Sequence, residues 1–344
     1  MSKWYEMQGE SSDVVFASRV RLSRNMDKYL FSKKMTDSDA VQLVEEVLYT
    51  FKDYSEEAQT YQRCNLSELN EIEKLSMVER QILTKDLATK KQCSGLVVSE
   101  DESSSVMING EDHLKIQSLV GGMDMKQAIQ KVNSMDDYAS ELLGISFSEK
   151  YGYLTSSPAD AGTGMKASYL LFLPALAGAG KMKRLAEEVT KYGVTLQGLY
   201  TEGTESNGNL FQISNQKTMG MTEEDIINNL DNIALQVVKQ ERKRREYVLA
   251  NNYDEIEDQV YRSYGVLKYA KQINSKDALT LLSQVKFGAD TDIIGFQIPF
   301  NIYNAMIVCQ PYSLQCQKGK YVGSKVRDKL RAEYLNHTLP ELET

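Results

Sequence analysis

The chain has 344 residues, of which 42% are hydrophobic, enough to bury a sizeable core and to predict two domains. Its net charge of −8 argues against a nucleic-acid-binding protein and is mildly favourable to an enzyme with basic substrates. No apolar run reaches about 18 residues, so no membrane span is predicted. The N-terminus lacks the apolar core of a signal peptide. The four cysteines have no zinc-site spacing, so we expect reduced thiols in a cytoplasmic protein.

The first half of the chain predicts helices followed by an antiparallel strand pair. Apolar residues recur at three- and four-residue steps in residues 36–52 and again in 65–87, which predicts one helix and then one or two more. Residues 95–98 and 105–108 predict two strands joined by a polar turn, and such a pair indicates an antiparallel sheet.

The second half predicts a second strand pair and then mostly helices. Residues 169–173 are apolar, residues 181–192 predict a helix, and residues 198–200 and 209–214 predict paired strands. Thr222 with the acids after it predicts a helix start. Helices are then predicted at 222–250, 254–270, 275–287 and 324–336. We place a domain boundary near residue 250, giving domains 1–250 and 251–344.

A strand that runs into three titratable residues is the most informative local feature. Val106 and Ile108 alternate as in a strand, and Glu111, Asp112 and His113 follow closely. A carboxylate at a rigid strand end beside a histidine can accept a proton or hold a cation. The alternative interpretation is a solvated turn.

Two arginines upstream form a second feature. Arg19 and Arg21 lie two residues apart, so on a strand both guanidinium groups project from the same face. Two such groups repel each other unless an anion lies between them, and polyphosphate is the usual anion. The alternative is two surface arginines in separate ion pairs. Together the two features suggest cations for a phosphate donor and a carboxylate for a cationic acceptor.

Four short sequence words occur in order along the chain: Ser18-Arg19-Val20-Arg21 with Arg24-Asn25, Asn109-Gly110-Glu111-Asp112-His113-Leu114, Gly162-Thr163-Gly164 and Ile213-Ser214-Asn215-Gln216. Together they resemble the phosphagen kinases, the group of creatine kinase and arginine kinase, and most closely its bacterial branch, the protein arginine kinases. The resemblance spans about residues 13–335. It implies an α+β catalytic domain with a large, mainly antiparallel sheet flanked by helices, like glutamine synthetase, and a small helical C-terminal domain.

The resemblance also implies a mechanism and a nucleotide site. Glu111 matches the catalytic glutamate, which holds a guanidinium group in line with the γ-phosphate of ATP and accepts its proton. Mg²⁺ would be held mainly by the nucleotide phosphates and water, with no dedicated metal ligands. The implied ATP-binding residues are Ala17, Ser18, Arg19, Val20, Arg21, Lys115, Lys166, Ala167, Ser168, Tyr169, Leu170, Gln197, Gly198, Leu199, Tyr200, Thr201 and Glu202.

Several positions depart from the family pattern. Lys115, Lys166 and Gln197 stand where the family has arginine; lysine keeps the charge but loses the planar fork, and glutamine loses the charge. Three more departures are Gly110 in place of a glutamate, Ser157 in place of a cysteine and Asp160 in place of an asparagine. A histidine that the family uses as a nucleotide contact is expected near Gln81.

A third motif lies near the C-terminus and matches an Arg-Asp-x-x-Arg-Ala word of the bacterial branch, where it forms an allosteric phosphoarginine pocket. Arg327 and Arg331 are four residues apart on a predicted helix, so both can clamp one phosphate. The alternative is an ordinary amphipathic helix with charges at this spacing. The motif residues are Arg327, Asp328, Lys329, Leu330, Arg331 and Ala332.

These expectations leave three hypotheses. The first is a protein arginine kinase that uses MgATP and marks proteins for Clp-dependent degradation, with an activator protein and a Clp ATPase as partners and a homo-oligomeric assembly. The second is a catalytically impaired family member that acts as a phosphoarginine-binding adaptor, which the substituted positions favour. The third is a kinase for free arginine or a related small guanidine.

Overall fold

An eight-stranded antiparallel sheet forms the centre of the molecule. The computed structural model describes residues 2–56, 59–200 and 203–343. Every pair of neighbouring strands in the large sheet is antiparallel, which confirms the predicted α+β class. The strands are β1 (Val15–Arg24), β2 (Tyr61–Asn65), β3 (Gly95–Ser99), β4 (Ser104–Ile108), β5 (Leu114–Gly121), β6 (Phe147–Ser148), β7 (Gly152–Tyr153), β8 (Met165–Phe172), β9 (Val194–Gly198) and β10 (Leu210–Asn215).

The strand order places β1 at the middle of the sheet. It runs β2-β3-β4-β5-β1-β8-β10-β9, while β6 and β7 form a separate two-stranded ribbon. Both neighbours of β1 are therefore strands that lie far from it in the sequence. The helices are α1 (Asp37–Thr50), α2 (Glu71–Glu79), α3 (Lys85–Ala88), α4 (Met125–Leu142), α5 (Pro174–Gly178), α6 (Met182–Thr190), α7 (Glu223–Tyr269), α8 (Ser275–Asp290), α9 (Ile302–Val308), α10 (Pro311–Lys318) and α11 (Ser324–Thr338).

One face of the sheet is covered by helices. Val20 and Leu22 of β1 and Ile116 of β5 are fully buried there in a cluster that includes side chains of α1, α4, α6 and the first part of α7. Because side chains alternate along a strand, Arg19 and Arg21 must project from the opposite face. Burial of the apolar positions thereby fixes the direction of the charged ones.

The opposite face is divided into an apolar end and a polar middle. Phe16, Leu119 and Phe172 are buried at one end in a second cluster, shared with side chains of α8, α9 and α11. The C-terminal helices therefore cover only this end. A third cluster, with Leu96, Val98 and Met107 of β3 and β4, covers the other end of this face. Polar side chains lie between the two clusters and form the site described below.

The longest helix differs from the sequence prediction. Two helices were predicted at 222–250 and 254–270, but α7 is continuous from Glu223 to Tyr269, with a local break at Asn252 (φ −140°, ψ 35°). Its predicted start is confirmed, because Thr222 accepts a hydrogen bond from the backbone N–H of Asp225 at 3.1 Å. The domain boundary predicted near residue 250 falls inside this helix, close to the break.

Candidate active site

Four cationic side chains converge on the polar face of the sheet. On β1, Arg21 lies directly opposite Lys166 of β8, and Ser23 lies opposite Lys115 of β5. Burial lowers the pKa of all four cations, that of Arg21 to about 10, and their mutual repulsion adds to the effect: Arg21 lowers the pKa of Arg19, and all three of the other cations lower that of Lys166. We call Arg19, Arg21, Lys115 and Lys166 the cationic face.

Neutral amides hold the two arginines of the cationic face. Arg19 donates from Nη1 to Gln81 Oε1 at 2.8 Å and from Nη2 to Gln212 Oε1 at 2.5 Å. Arg21 donates from Nε to Gln117 Oε1 at 2.6 Å. An amide oxygen orients a guanidinium group without neutralising it. The positive charge therefore remains available to an anion.

Two buried polar groups on this face lack partners. Among the described residues, Arg19 Nε and Ser168 Oγ have no hydrogen-bond partner, and Ser168 lies directly across from Arg19 on β8. Buried polar groups are normally satisfied. A phosphate oxygen accepts hydrogen bonds of this kind, so the residues present fit a polyphosphate.

Ser18 and Tyr169, from the two implied ATP-binding runs, support the face from behind. Ser18 donates to Gly122 O at 2.8 Å, and Tyr169 donates to Asp231 at 2.6 Å; both side chains point away from the cations. The buried residues that complete these runs are Ala17, Val20, Ala167 and Leu170.

The last implied ATP-binding segment begins at the edge of the cationic face. Gln197 is exposed at the end of β9, directly opposite Gln212. Gly198 is buried, Leu199 is half-buried, and the Tyr200 hydroxyl donates to Glu79 O at 3.0 Å. Two further residues assigned to this segment, Thr201 and Glu202, lie outside the described residues.

Glu111 stands on the tight connection between β4 and β5 and is exposed. The connection starts at Asn109 with a left-handed backbone (φ 59°). Lys90 Nζ donates to Asn109 O at 2.7 Å and to Gly110 O at 3.1 Å. The backbone that carries Glu111 is therefore fixed, while its carboxylate faces solvent.

Asp112 and His113 lock this connection to its neighbours. Asp112 Oδ1 accepts from Asn25 Nδ2 at 2.8 Å and from the Ser156 N–H at 2.7 Å. His113 is fully buried; its Nδ1 accepts from the Met26 N–H at 3.0 Å, so its Nε2 is the donor to Leu30 O at 2.9 Å. Burial lowers the pKa of His113. The histidine is thus neutral and structural, and of Glu111, Asp112 and His113 only Glu111 is exposed.

The acidic connection borders the cationic face. Burial and the repulsion of Arg21 are the largest effects on Lys115, and they lower its pKa. The carboxylates of Asp112, Glu111 and Asp160 raise its pKa and offset part of this lowering. Asp160 has the same effect on Lys166. Both lysines therefore lie within electrostatic reach of acidic side chains as well as of the arginines.

The loop that contains the Gly162-Thr163-Gly164 motif packs against β1. Gly164 has φ +64°, and a Cβ there would lie 2.7 Å from Ser23 O, so glycine is required. Thr163 O accepts from Arg24 Nη1 at 3.0 Å, and the Arg24 guanidinium is bound to Asp136 Oδ2 at 2.6 Å. This part of the resemblance is structural and sets the position of the loop that carries Asp160.

Sequence reasoning missed two residues of the site and noted a third only as a position. Gln117 and Gln212 were not recognised, and Gln81 entered only as the place where a histidine was expected. Gln81 has a left-handed backbone (φ 64°), and its main-chain oxygen accepts from Gln117 Nε2 at 2.9 Å. The one available signal was that Gln117 and Gln212 alternate with apolar residues on their strands.

The C-terminal motif lies on α11. Arg331 is 1% exposed and donates to Cys309 O at 2.7 Å, to Ile273 O at 2.8 Å and to Asp328 at 2.9 Å. Arg327 is half-buried and donates to Val322 O at 3.3 Å. Asp328 lines an open cavity of about 530 Å³. Of the remaining motif residues, Lys329 is exposed, Leu330 is half-buried and Ala332 is buried. The phosphoarginine pocket stays a prediction.

Other features concern metals, thiols and membranes. In the part of the chain that the structure describes, no group of three or more His, Cys, Asp or Glu side chains could hold a metal ion. All four cysteines, Cys64, Cys93, Cys309 and Cys316, are free thiols. None of the helices in the described ranges has the length and apolar character needed to cross a membrane.

Two family models match the chain. The ATP:guanido phosphotransferase C-terminal catalytic domain matches residues 39–244, and the C-terminal domain of the protein-arginine kinase McsB matches residues 253–344. The protein-arginine kinase of Desulforamulus reducens is 38% identical over 99% of this chain and 96% of its own length. The protein-arginine kinase of Bacillus subtilis is 36% identical over 98% of this chain and 93% of its own length.

Solved structures of related enzymes share the fold. A duplicated taurocyamine kinase from Schistosoma mansoni, with bound transition-state-analogue components, superposes with a TM-score of 0.61 at 23% identity. The match covers 71% of this chain and 36% of that one. A lombricine kinase gives a TM-score of 0.60 at 17% identity over 68% of both chains. At these identities the likeness establishes the architecture alone.

Proposed function

Because this chain belongs to the ATP:guanido phosphotransferase family, and within it to the protein-arginine kinases, we propose that it transfers the γ-phosphate of ATP to arginine side chains of proteins. The observation that carries the proposal is the cationic face, whose arginines are held by neutral amides beside the exposed carboxylate of Glu111. Such a face needs an anion, and such a carboxylate suits a cationic acceptor.

The cationic face would bind the phosphates of ATP. Arg19 and Arg21 are pre-oriented, and Arg19 Nε and Ser168 Oγ are donors that lack partners among the described residues. Donors that are already in place stabilise charge on the transferring group without reorganisation at the moment of reaction. Mg²⁺, held mainly by the nucleotide phosphates, would neutralise further charge there.

Glu111 would position the acceptor and take its proton. An arginine side chain is protonated at physiological pH, so its nitrogen has no free lone pair until a proton leaves. In the transfer, an N–P bond forms, the bond from the γ-phosphorus to the bridging oxygen breaks, and the proton passes to the Glu111 carboxylate. ADP leaves with the electron pair of the broken bond. Exposure of Glu111 leaves room for an arginine presented by a protein surface.

The substituted positions bear on the rate of transfer. Lys115 and Lys166 supply charge but cannot grip two phosphate oxygens in a planar fork. Gln197 supplies no charge at the edge of the face. Loss of a single donor to the transition state typically costs on the order of 10²- to 10³-fold in rate, so we propose slow transfer.

We further propose that the products are proteins marked for Clp-dependent degradation, in the cytoplasm and with an activator protein. We also propose that the Arg327–Ala332 motif binds phosphoarginine and that the chain forms a homo-oligomer. The matched C-terminal family domain, residues 253–344, supports the motif assignment, and the free thiols are compatible with a reducing compartment. Degradation, activator and assembly rest on the family resemblance.

Phosphate transfer from radiolabelled MgATP to an arginine-rich protein tests the proposal. We expect labelling that acid removes, because an N–P bond is acid-labile. Glu111→Gln should abolish labelling while leaving the melting temperature unchanged, since the carboxylate is exposed. Glu149→Gln is the matched control, because Glu149 is also exposed in a turn but lies outside the site, and it should label normally.

Two results would argue against the kinase. Labelling that persists in Glu111→Gln would remove this residue from the chemistry. No labelling by the unaltered chain, even with cell extract added to supply an activator, would contradict the activity itself. Retained binding of phosphoarginine in that case would favour the adaptor hypothesis, which the lysine and glutamine substitutions motivate.

A further inference from the structure

A cavity of about 390 Å³ lies beside the break in α7, away from the cationic face. It is bounded by α5, α7 and α8. Residues 242–262 contain neither proline nor glycine, so the break at Asn252 has no sequence cause of the usual kind. The residues that contribute to its wall include Arg244 and Val248 before the break and Ile256 and Val260 after it. A ligand here would therefore contact both parts of α7.

Arg244 is the single charged side chain among the described residues that line the cavity. Its Nε is buried and has no hydrogen-bond partner among the described residues. The guanidinium group stacks on the Tyr247 ring, 4.7 Å from the ring centroid. A buried guanidinium nitrogen without an acceptor is costly. An anion in the cavity would provide that acceptor.

The neighbouring residue, Arg245, differs from Arg244 in its burial and in its partners. Arg244 is half-buried as a residue, whereas Arg245 is buried and forms ion pairs with Glu241 at 2.9 Å, Asp290 at 3.6 Å and Asp13 at 3.8 Å. Two adjacent arginines on one helix thus differ in kind, since the fold supplies acceptors to Arg245 and not to Arg244. Among the described residues, the Arg244 Nε at this cavity is therefore left without an acceptor.

The other residues that line the cavity indicate which kind of ligand it would bind. Val260 and Phe287 provide apolar surface, while Gln259 and Gln284 provide amides. Pockets of roughly 300–1,000 Å³ with apolar walls and a few polar groups hold small molecules. We propose that this cavity binds a small organic carboxylate, with the carboxylate paired to Arg244 and its apolar body against Val260 and Phe287. This site is independent of the proposed kinase activity.

A matched pair of probes tests the charge requirement. 3-Phenylpropionate and 3-phenylpropionamide have nearly the same shape, but only the first is an anion. We expect the acid to bind at least about tenfold more tightly than the amide, as measured by titration calorimetry or ligand-observed NMR, because hydrogen bonds to a charged group are strong. Arg244→Gln should reduce the affinity for the acid to that for the amide.

Three control variants locate the binding. Lys243→Gln removes the same charge from an exposed neighbour and should leave the affinity unchanged. Arg21→Gln should also leave it unchanged, which would exclude binding at the cationic face. Gly178→Leu should weaken both probes, because Gly178 lines the cavity and its Cβ position meets no atom within 4 Å.

Three outcomes would overturn the proposal: no binding of either probe at millimolar concentration, equal affinity for the acid and the amide, or an unchanged affinity for the acid in Arg244→Gln. Melting temperatures establish that each variant is folded. If Arg244→Gln does not fold, Gly178→Leu decides, because undiminished binding to it would place the probes elsewhere.

Discussion

Replacing Gln212 by glutamate would place a carboxylate against Arg19 with almost no change in side-chain shape. Gln212 Oε1 accepts from Arg19 Nη2 at 2.5 Å, and its amide nitrogen has no hydrogen-bond partner among the described residues. Burial and the charge of Arg21 hold the pKa of Arg19 well below its usual range. The new carboxylate would therefore stabilise Arg19 and cancel charge that would otherwise attract phosphate.

The two effects have opposite signs. A unit negative charge about 6 Å from a phosphate, at an effective dielectric constant of about 20, costs about 2–3 kcal/mol, which corresponds to an affinity loss of roughly 30- to 150-fold. The hydrogen bond to Arg19 becomes charge-assisted on both sides, so we expect the free energy of unfolding to rise by about 1–2 kcal/mol. The variant should be more stable and bind nucleotide more weakly.

Calorimetric titration with MgADP and urea unfolding measure the two quantities separately. Gln62→Glu is the matched control, because Gln62 is exposed on β2, and neither quantity should change. Undiminished nucleotide affinity in Gln212→Glu would refute the argument that neutral amides keep the cationic face charged for phosphate. A parallel loss of stability and affinity would show instead that the substitution damages the fold.

Three further predictions concern the cationic face and the Glu111 connection. Gln197→Arg restores a charge at the exposed edge, so the rate of phosphate transfer should rise by about tenfold; an unchanged rate would place position 197 outside the transition state. Lys90→Met removes the bonds that fix the Glu111 backbone and should lower the unfolding free energy by about 1.5–3 kcal/mol and the turnover number, whereas the exposed neighbour variant Lys91→Met should change neither. Because burial lowers the pKa of His113, its imidazole takes up a proton more readily in the unfolded chain than in the folded chain. The free energy of unfolding therefore falls as pH drops below about 6.5. The difference in unfolding free energy between the unaltered chain and His113→Asn should therefore shrink from pH 7.5 to pH 5.5, and a constant difference would contradict a neutral buried imidazole.

Local patterns predicted the parts of the fold that depend on neighbours in sequence. Alternation placed Arg19 and Arg21 on one face, and the structure confirms this because Val20 and Leu22 are buried on the other. The hairpin before Glu111 was predicted in the same way, from the apolar strand and the polar turn that follows it.

The convergence of the four cations could not be read from local patterns. Lys115 and Lys166 join Arg21 because β5 and β8 are both hydrogen-bonded to β1, and strand order depends on the whole chain. Gln117 and Gln212 were missed because a glutamine on a polar strand face looks the same whether it is solvated or holds an arginine.

Two helices show opposite kinds of error. α4 was not predicted, although Met125, Ala128 and Val132 have helical spacing after the N-cap Asp124; that signal was present in the sequence. α7 was divided near residue 250, where the apolar pattern lapses into polar residues. The helix continues there because nothing in that stretch prevents helical hydrogen bonding, and only Asn252 departs from helical geometry.

The most direct test of the account is the identity of the bond made from MgATP. We would incubate the chain with MgATP and an arginine-rich protein and record the ³¹P NMR spectrum of the protein product. The account predicts a phosphoramidate signal that acid removes, with ADP formed in equal amount. Release of inorganic phosphate alone, or phosphate attached to a hydroxyl group, would contradict the assignment of Glu111 and the cationic face to arginine phosphorylation.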